Sequence, residues 1–108
     1  MPLAIRWSKF TKENLDGVDP VYGIYELGDK DKSIIYIGQG VLSERLWAHK
    51  TSDKPCFQKA RYFRFEKTGG KERAEQRERA EMNAYEDQYD ALPECNKRRE
   101  YPPGPWWE

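Results

Sequence analysis

Residues 21–40, VYGIYELGDKDKSIIYIGQG, constrain the fold of this chain more than any other stretch. Two runs rich in β-branched and aromatic residues, VYGIYEL (21–27) and IIYIG (34–38), flank the turn sequence GDKDKS (28–33). That pattern predicts an antiparallel hairpin. A turn centred on Lys30-Asp31 pairs Leu27 with Ile34, Tyr25 with Tyr36 and Gly23 with Gly38. Opposed residues share a face of the sheet, so the two tyrosines are expected side by side. Ile24, Ile35 and Ile37 then pack the other face. The glycines of the triplets Gly23-Ile24-Tyr25 and Tyr36-Ile37-Gly38 bring backbone close to whatever lies beside the rings. A slip of one residue would undo this arrangement.

The flanking segments supply the other elements. TKENLDGVDP (11–20) reads as one helical turn capped by Thr11, then a loop closed by Gly17 and Pro20. After the breaker QG (39–40), VLSERLWAHK (41–50) reads as a short helix with Leu42, Arg45, Leu46 and His49 on one face. TSDKPCFQ (51–58) reads as loop, with Pro55 ending any helix, and KARYFRFEKT (59–68) as a third strand. Gly69-Gly70 is a break. A long helix is expected from Lys71 to Leu92, stopped by Pro93, with an apolar stripe of Met82, Tyr85, Tyr89 and Leu92. The expected fold is a small α/β layered domain, its three-stranded, mainly antiparallel sheet flanked by helices.

With 108 residues the chain has room for one domain. Residues 1–20 are read as an N-terminal extension whose Trp7 and Phe10 enlarge the core beneath the sheet. Residues 21–97 are read as the domain proper, and 98–108 as a Pro/Trp-rich tail whose Trp106 and Trp107 pack back onto it. Mean hydropathy is −1.07, but aromatics reach 14%, enough large rings to build a core where aliphatics are scarce. No run of 18 apolar residues occurs, and Met1 to Phe10 lacks the apolar stretch of a signal peptide. Cys56, Cys95 and the single His49 are too few for a structural zinc site, and the cysteines are read as reduced thiols of a cytoplasmic protein.

The net charge is zero, but residues 39–68 carry 7 basic and 3 acidic side chains while residues 69–108 carry 7 and 10. Any phosphate contact is therefore expected on the middle segment.

A lone cross-strand tyrosine pair is more often packing than chemistry. Here the two triplets are followed by Arg45, nine residues after Tyr36, and by His49 one helical turn further on. PECN (93–96) supplies a Pro-x-x-Asn. Together, from Gly23 to Asn96, these features resemble the GIY-YIG nuclease superfamily. The resemblance implies a metal-dependent endonuclease that hydrolyses DNA phosphodiester bonds with one Mg2+ or Mn2+ ion held by a helix carboxylate. It places Tyr25 at the attacking water with Tyr36 beside it, Arg45 on a phosphate oxygen, and His49 and Asn96 in support. Among the helix acids, Glu81 fits the metal position best, having Ala84 and Tyr85 three and four residues on and Asn96 fifteen on. Glu86 and Glu78 are the alternatives.

The chemistry suits these residue types. Phosphodiester hydrolysis needs a positioned water, a proton acceptor and neutralisation of phosphoryl charge. An arginine fork and a hard cation on a carboxylate supply the last. A tyrosine base is unusual, since its reference pKa is about 10. No helix-turn-helix, zinc-finger spacing or basic tail is read in the chain, so targeting is expected to come from a protein partner or a homo-oligomer. The alternative reading is a catalytically degenerate scaffold that binds nucleic acid or protein.

Overall fold

The hairpin forms, and its turn decides its register. In the computed structural model, which describes residues 6–96, β1 is Ser8–Lys9, α1 is Lys12–Leu15, β2 is Tyr22–Gly28 and β3 is Ile34–Val41. Asp29 Oδ1 accepts from the backbone N–H groups of Asp31 and Ser33, at 2.9 and 3.0 Å. Lys32 takes the left-handed conformation (φ 63°). A three-residue turn therefore replaces the expected two-residue one. Gly28 pairs with Ile34, a bulge passes over Ile35, and Leu27 then pairs with Tyr36, Tyr25 with Gly38 and Gly23 with Gly40. The register is displaced by two from the expected one. An even displacement leaves side chains on their faces, so Tyr25 and Tyr36 stay on one side as a diagonal pair. The bulged Ile35 joins the core on the tyrosine side rather than packing with Ile24 and Ile37.

The rest of the chain comprises α2 (Leu42–Lys50), α3 (Pro55–Gln58), β4 (Tyr62–Lys67) and α4 (Lys71–Tyr89). The sheet has four strands in the order β1-β4-β2-β3, every pairing antiparallel. The fourth strand, absent from the sequence reading, is the two-residue β1, which pairs Ser8 with Phe63 and Lys9 with Tyr62. It carries the N-terminal aromatics into place. Phe10 is buried 5.8 Å from Phe63, and Trp7 lies against Gly28 and beneath the Arg64 guanidinium.

Pro55 starts α3 at its first turn instead of ending a helix, since its missing N–H has no partner to lose there. Asp90, left-handed at φ 59°, closes α4 before Pro93 is reached. Thr11 caps α1 as expected, its Oγ accepting from the Asn14 N–H.

Two layers cover the sheet. On the tyrosine face, Leu27, Phe63, Leu42 and Leu46 join Tyr25 and Tyr36 in one apolar core. Each fully buried Leu there contributes roughly 2 kcal/mol of burial. On the other face α4 packs over β2 and β3. Its buried positions are Ala74, Glu78, Glu81 and Met82, whereas Tyr89, expected in the stripe, is exposed. This second interface contains charge: Glu26 pairs with Arg64 at 2.6 Å, and Arg77 reaches Glu66 at 2.7 Å and Glu81 at 3.7 Å.

The cysteines correct the sequence reading most directly. Cys56 and Cys95, expected as free thiols, form a disulfide with Cα atoms 5.7 Å apart. Among the described residues no helix is long and apolar enough to cross a membrane. Trp106, Trp107 and the rest of the tail lie outside the described residues.

Candidate functional site

Tyr25 Oη lies 2.7 Å from His49 Nε2, in a buried hydrogen bond between β2 and α2. The helix spacing foreseen for Leu42, Leu46 and His49 holds, and all three are buried. The leucines anchor α2 on the sheet and His49 is thereby set over the tyrosines. The Tyr36 ring is 4.7 Å from the imidazole and 6.0 Å from Tyr25. Gly38 makes this approach feasible, because a Cβ there would overlap Cζ and Oη of Tyr25 and come within 2.7 Å of Tyr36 Cε2. Gly40 does the same for Arg45. A Cβ at Gly40 would stand 2.8 Å from Arg45 Cγ, and its φ of +139° disfavours a side chain in any case.

The electrostatics of His49 follow from its setting. Burial first, then the positive charges of Arg45 and Lys54, lower its pKa to about 4. At neutral pH the imidazole is uncharged. A neutral imidazole has one donor and one acceptor nitrogen, so with Nε2–H donating to Tyr25 Oη its Nδ1 is left able to take a proton.

Beside the cluster opens a cleft of about 830 Å³, whose wall includes Tyr36, Lys54, Phe57, Asn96 and the two cysteines. Tyr25 is fully buried and does not line it. The tyrosine that meets the cleft is therefore Tyr36, and Tyr25 stands behind it as the partner of His49. Asn96 accepts from the Ile37 N–H at 2.8 Å and donates to the Ile37 carbonyl at 3.0 Å. Its amide thus caps the outer edge of β3, and the Cys95 N–H donates to the Ile35 carbonyl at 2.7 Å alongside it.

Two contributors escaped the sequence reading. Phe57 packs 4.4 Å from His49 and 5.1 Å from Tyr36; nothing in its local sequence signals this. Lys54 belongs to the basic excess of residues 39–68, a signal that named the segment but not the residue.

The helix acids lie elsewhere. Glu81 and Glu26 share a small enclosed space with Ile37 and Tyr85, under α4. Glu26 and Ile37 alternate with Tyr25 and Tyr36 along their strands, so the sheet separates Glu81 from the tyrosines. Burial raises the Glu81 pKa, against the opposing pull of Arg77. Glu78 is more deeply buried on the same side, and Glu86 is half-buried further along α4. Among the described residues no group of three or more His, Cys, Asp or Glu side chains could hold a metal ion. Glu81, the carboxylate to which the resemblance assigns the Mg2+ or Mn2+ ion, thus lies across the sheet from the tyrosines.

Fold and site together define a small antiparallel α/β domain with an aromatic, cation-flanked cluster on one face of its sheet. A family model described as a domain of unknown function, DUF7508, matches residues 1–87, and the chain belongs to that family. No curated protein matches it.

Proposed function

We propose that the protein is an endonuclease of the GIY-YIG type that hydrolyses DNA phosphodiester bonds on the tyrosine face of its sheet. The observation that carries the reading is the Tyr25–His49 hydrogen bond, set beside Tyr36 and under the charges of Arg45 and Lys54. In this reading the two cations hold the phosphodiester. Tyr36 meets the attacking water in the cleft, and neutral His49, oriented by donating Nε2–H to Tyr25 Oη, accepts the proton at Nδ1. The protein acts in the cytoplasm, where a protein partner or a second copy of the chain brings it to DNA. The test is incubation of purified protein with supercoiled plasmid in Mg2+, Mn2+ and EDTA. Nicking by the parent supports the reading, and an intact plasmid across a range of salt concentrations opposes it.

A second reading, a degenerate scaffold that binds nucleic acid without cutting it, is favoured by the position of Glu81 across the sheet from the tyrosines. It predicts salt-sensitive DNA binding, weakened by Arg45→Ala and Lys54→Ala, with no cleavage in any metal.

A further inference from the structure

The cleft is bridged from one wall to the other by two links. One is the Cys56–Cys95 disulfide, and the other is the Lys59–Glu94 ion pair, in which both side chains are about half exposed (54% and 51%). A pair that exposed contributes little on its own. The two walls differ in how they are otherwise held. Residues 95 and 96 keep three hydrogen bonds to the edge of β3 whatever the state of the sulfurs. By contrast, α3 is a four-residue helix with no buried residue and no side-chain cap. Through Phe57, the neighbour of Cys56, α3 covers Tyr36 and His49. The disulfide therefore ties a weakly held aromatic cover to a firmly held strand edge, and both sulfur-bearing residues line the open cleft.

We propose that Cys56–Cys95 is a thiol–disulfide exchange site that latches Phe57 over the Tyr36–His49 pair, and that a dithiol reductant releases it. A reductant thiolate attacks Sγ of Cys56, the less buried of the two cysteines. The Cys56–Cys95 bond breaks, Cys95 leaves as a thiolate, and a mixed disulfide forms on Cys56. The reductant's second thiol then attacks its own sulfur in that mixed disulfide, freeing Cys56 as a thiolate. Two electrons pass to the protein, the reductant leaves as its own disulfide, and its two protons are available to the new thiols. Lys54 and Lys59 flank Cys56 in sequence and line the cleft, where their charge favours the departing thiolates. The proposal stands whether or not the site cuts DNA.

The chain contains a single histidine, so its imidazole signal can be followed by NMR without ambiguity. Alkylation with mass detection should find no free thiol in the oxidised protein and two after treatment with dithiothreitol. Far-UV circular dichroism should be unchanged by reduction, and the His49 midpoint should rise by about one unit or more toward the free value as its cover loosens. A Cys56→Ser/Cys95→Ser variant should show the raised midpoint without reductant. Free thiols after oxidation, an unmoved His49 titration in the reduced protein, or global unfolding on reduction would each overturn the proposal, the last by making the bond a structural staple.

Discussion

Tyr25 and His49 meet through a single buried hydrogen bond, Oη to Nε2 at 2.7 Å, and the burial and flanking cations of His49 there set the pH response of the fold. The folded-state pKa of His49 is lowered to about 4 from 6.5. Between those values the unfolded chain binds more protons than the folded one. Stability is thus unaffected above pH 6.5, declines as the pH falls through the window, and has lost up to about 3 kcal/mol below pH 4. Urea midpoints measured from pH 7.5 to 4 should show this decline. His49→Gln should flatten the slope within that window.

Gly38 is the position where a single methyl does most damage to the cluster. Gly38→Ala drives a Cβ into the Tyr25 ring, which is fully buried and cannot swing aside. A loss of about 2–3 kcal/mol is expected by chemical denaturation. The His49 titration should rise with it as the packing that buries the imidazole loosens.

Asn96 separates shape from hydrogen-bond chemistry. Its amide matches both the N–H and the C=O of Ile37, and an ionised carboxylate can match only the N–H. Asn96→Asp is therefore expected to destabilise by about 2–3 kcal/mol at pH 7 despite its near-identical shape, by setting charge against the Ile37 carbonyl. Part of that loss should return at pH 4, where the acid form donates; thermal melts at the two pH values would show it against the falling baseline of the parent.

Glu26 and Glu81 lie in the same interface, but their substitution should differ in cost. Glu26→Gln removes the carboxylate from Arg64, which is only 12% exposed, and should cost about 3 kcal/mol. Glu81→Gln removes a group whose charged form burial already disfavours, leaving Arg77 its closer partner Glu66. A change under about 1 kcal/mol is expected there. Paired urea titrations would distinguish the two.

The hairpin and the face shared by its tyrosines were legible because strand alternation is a local property of the sequence. The register was not, since it depended on Asp29 folding back onto Asp31 and Ser33 and on the bulge at Ile35. The tyrosines kept their common face only because the displacement was even. Likewise, α2 could be read from the spacing of two leucines and a histidine. The buried side of α4 could not, because glutamates at 78 and 81 read as candidates for a metal beside the tyrosines, whereas they are buried in the opposite interface, which Arg64 and Arg77 share. The disulfide joins residues 39 apart and required coordinates to find.

The proposed endonuclease reading puts its chemistry on the tyrosine face of the sheet, and single-turnover cleavage of supercoiled plasmid by Arg45→Ala and Glu81→Gln tests it. A site on the tyrosine face predicts that Arg45→Ala lowers the rate by about a hundredfold or more while Glu81→Gln stays within a few-fold of the parent. Full activity in Arg45→Ala, or its loss in Glu81→Gln alone, would contradict it.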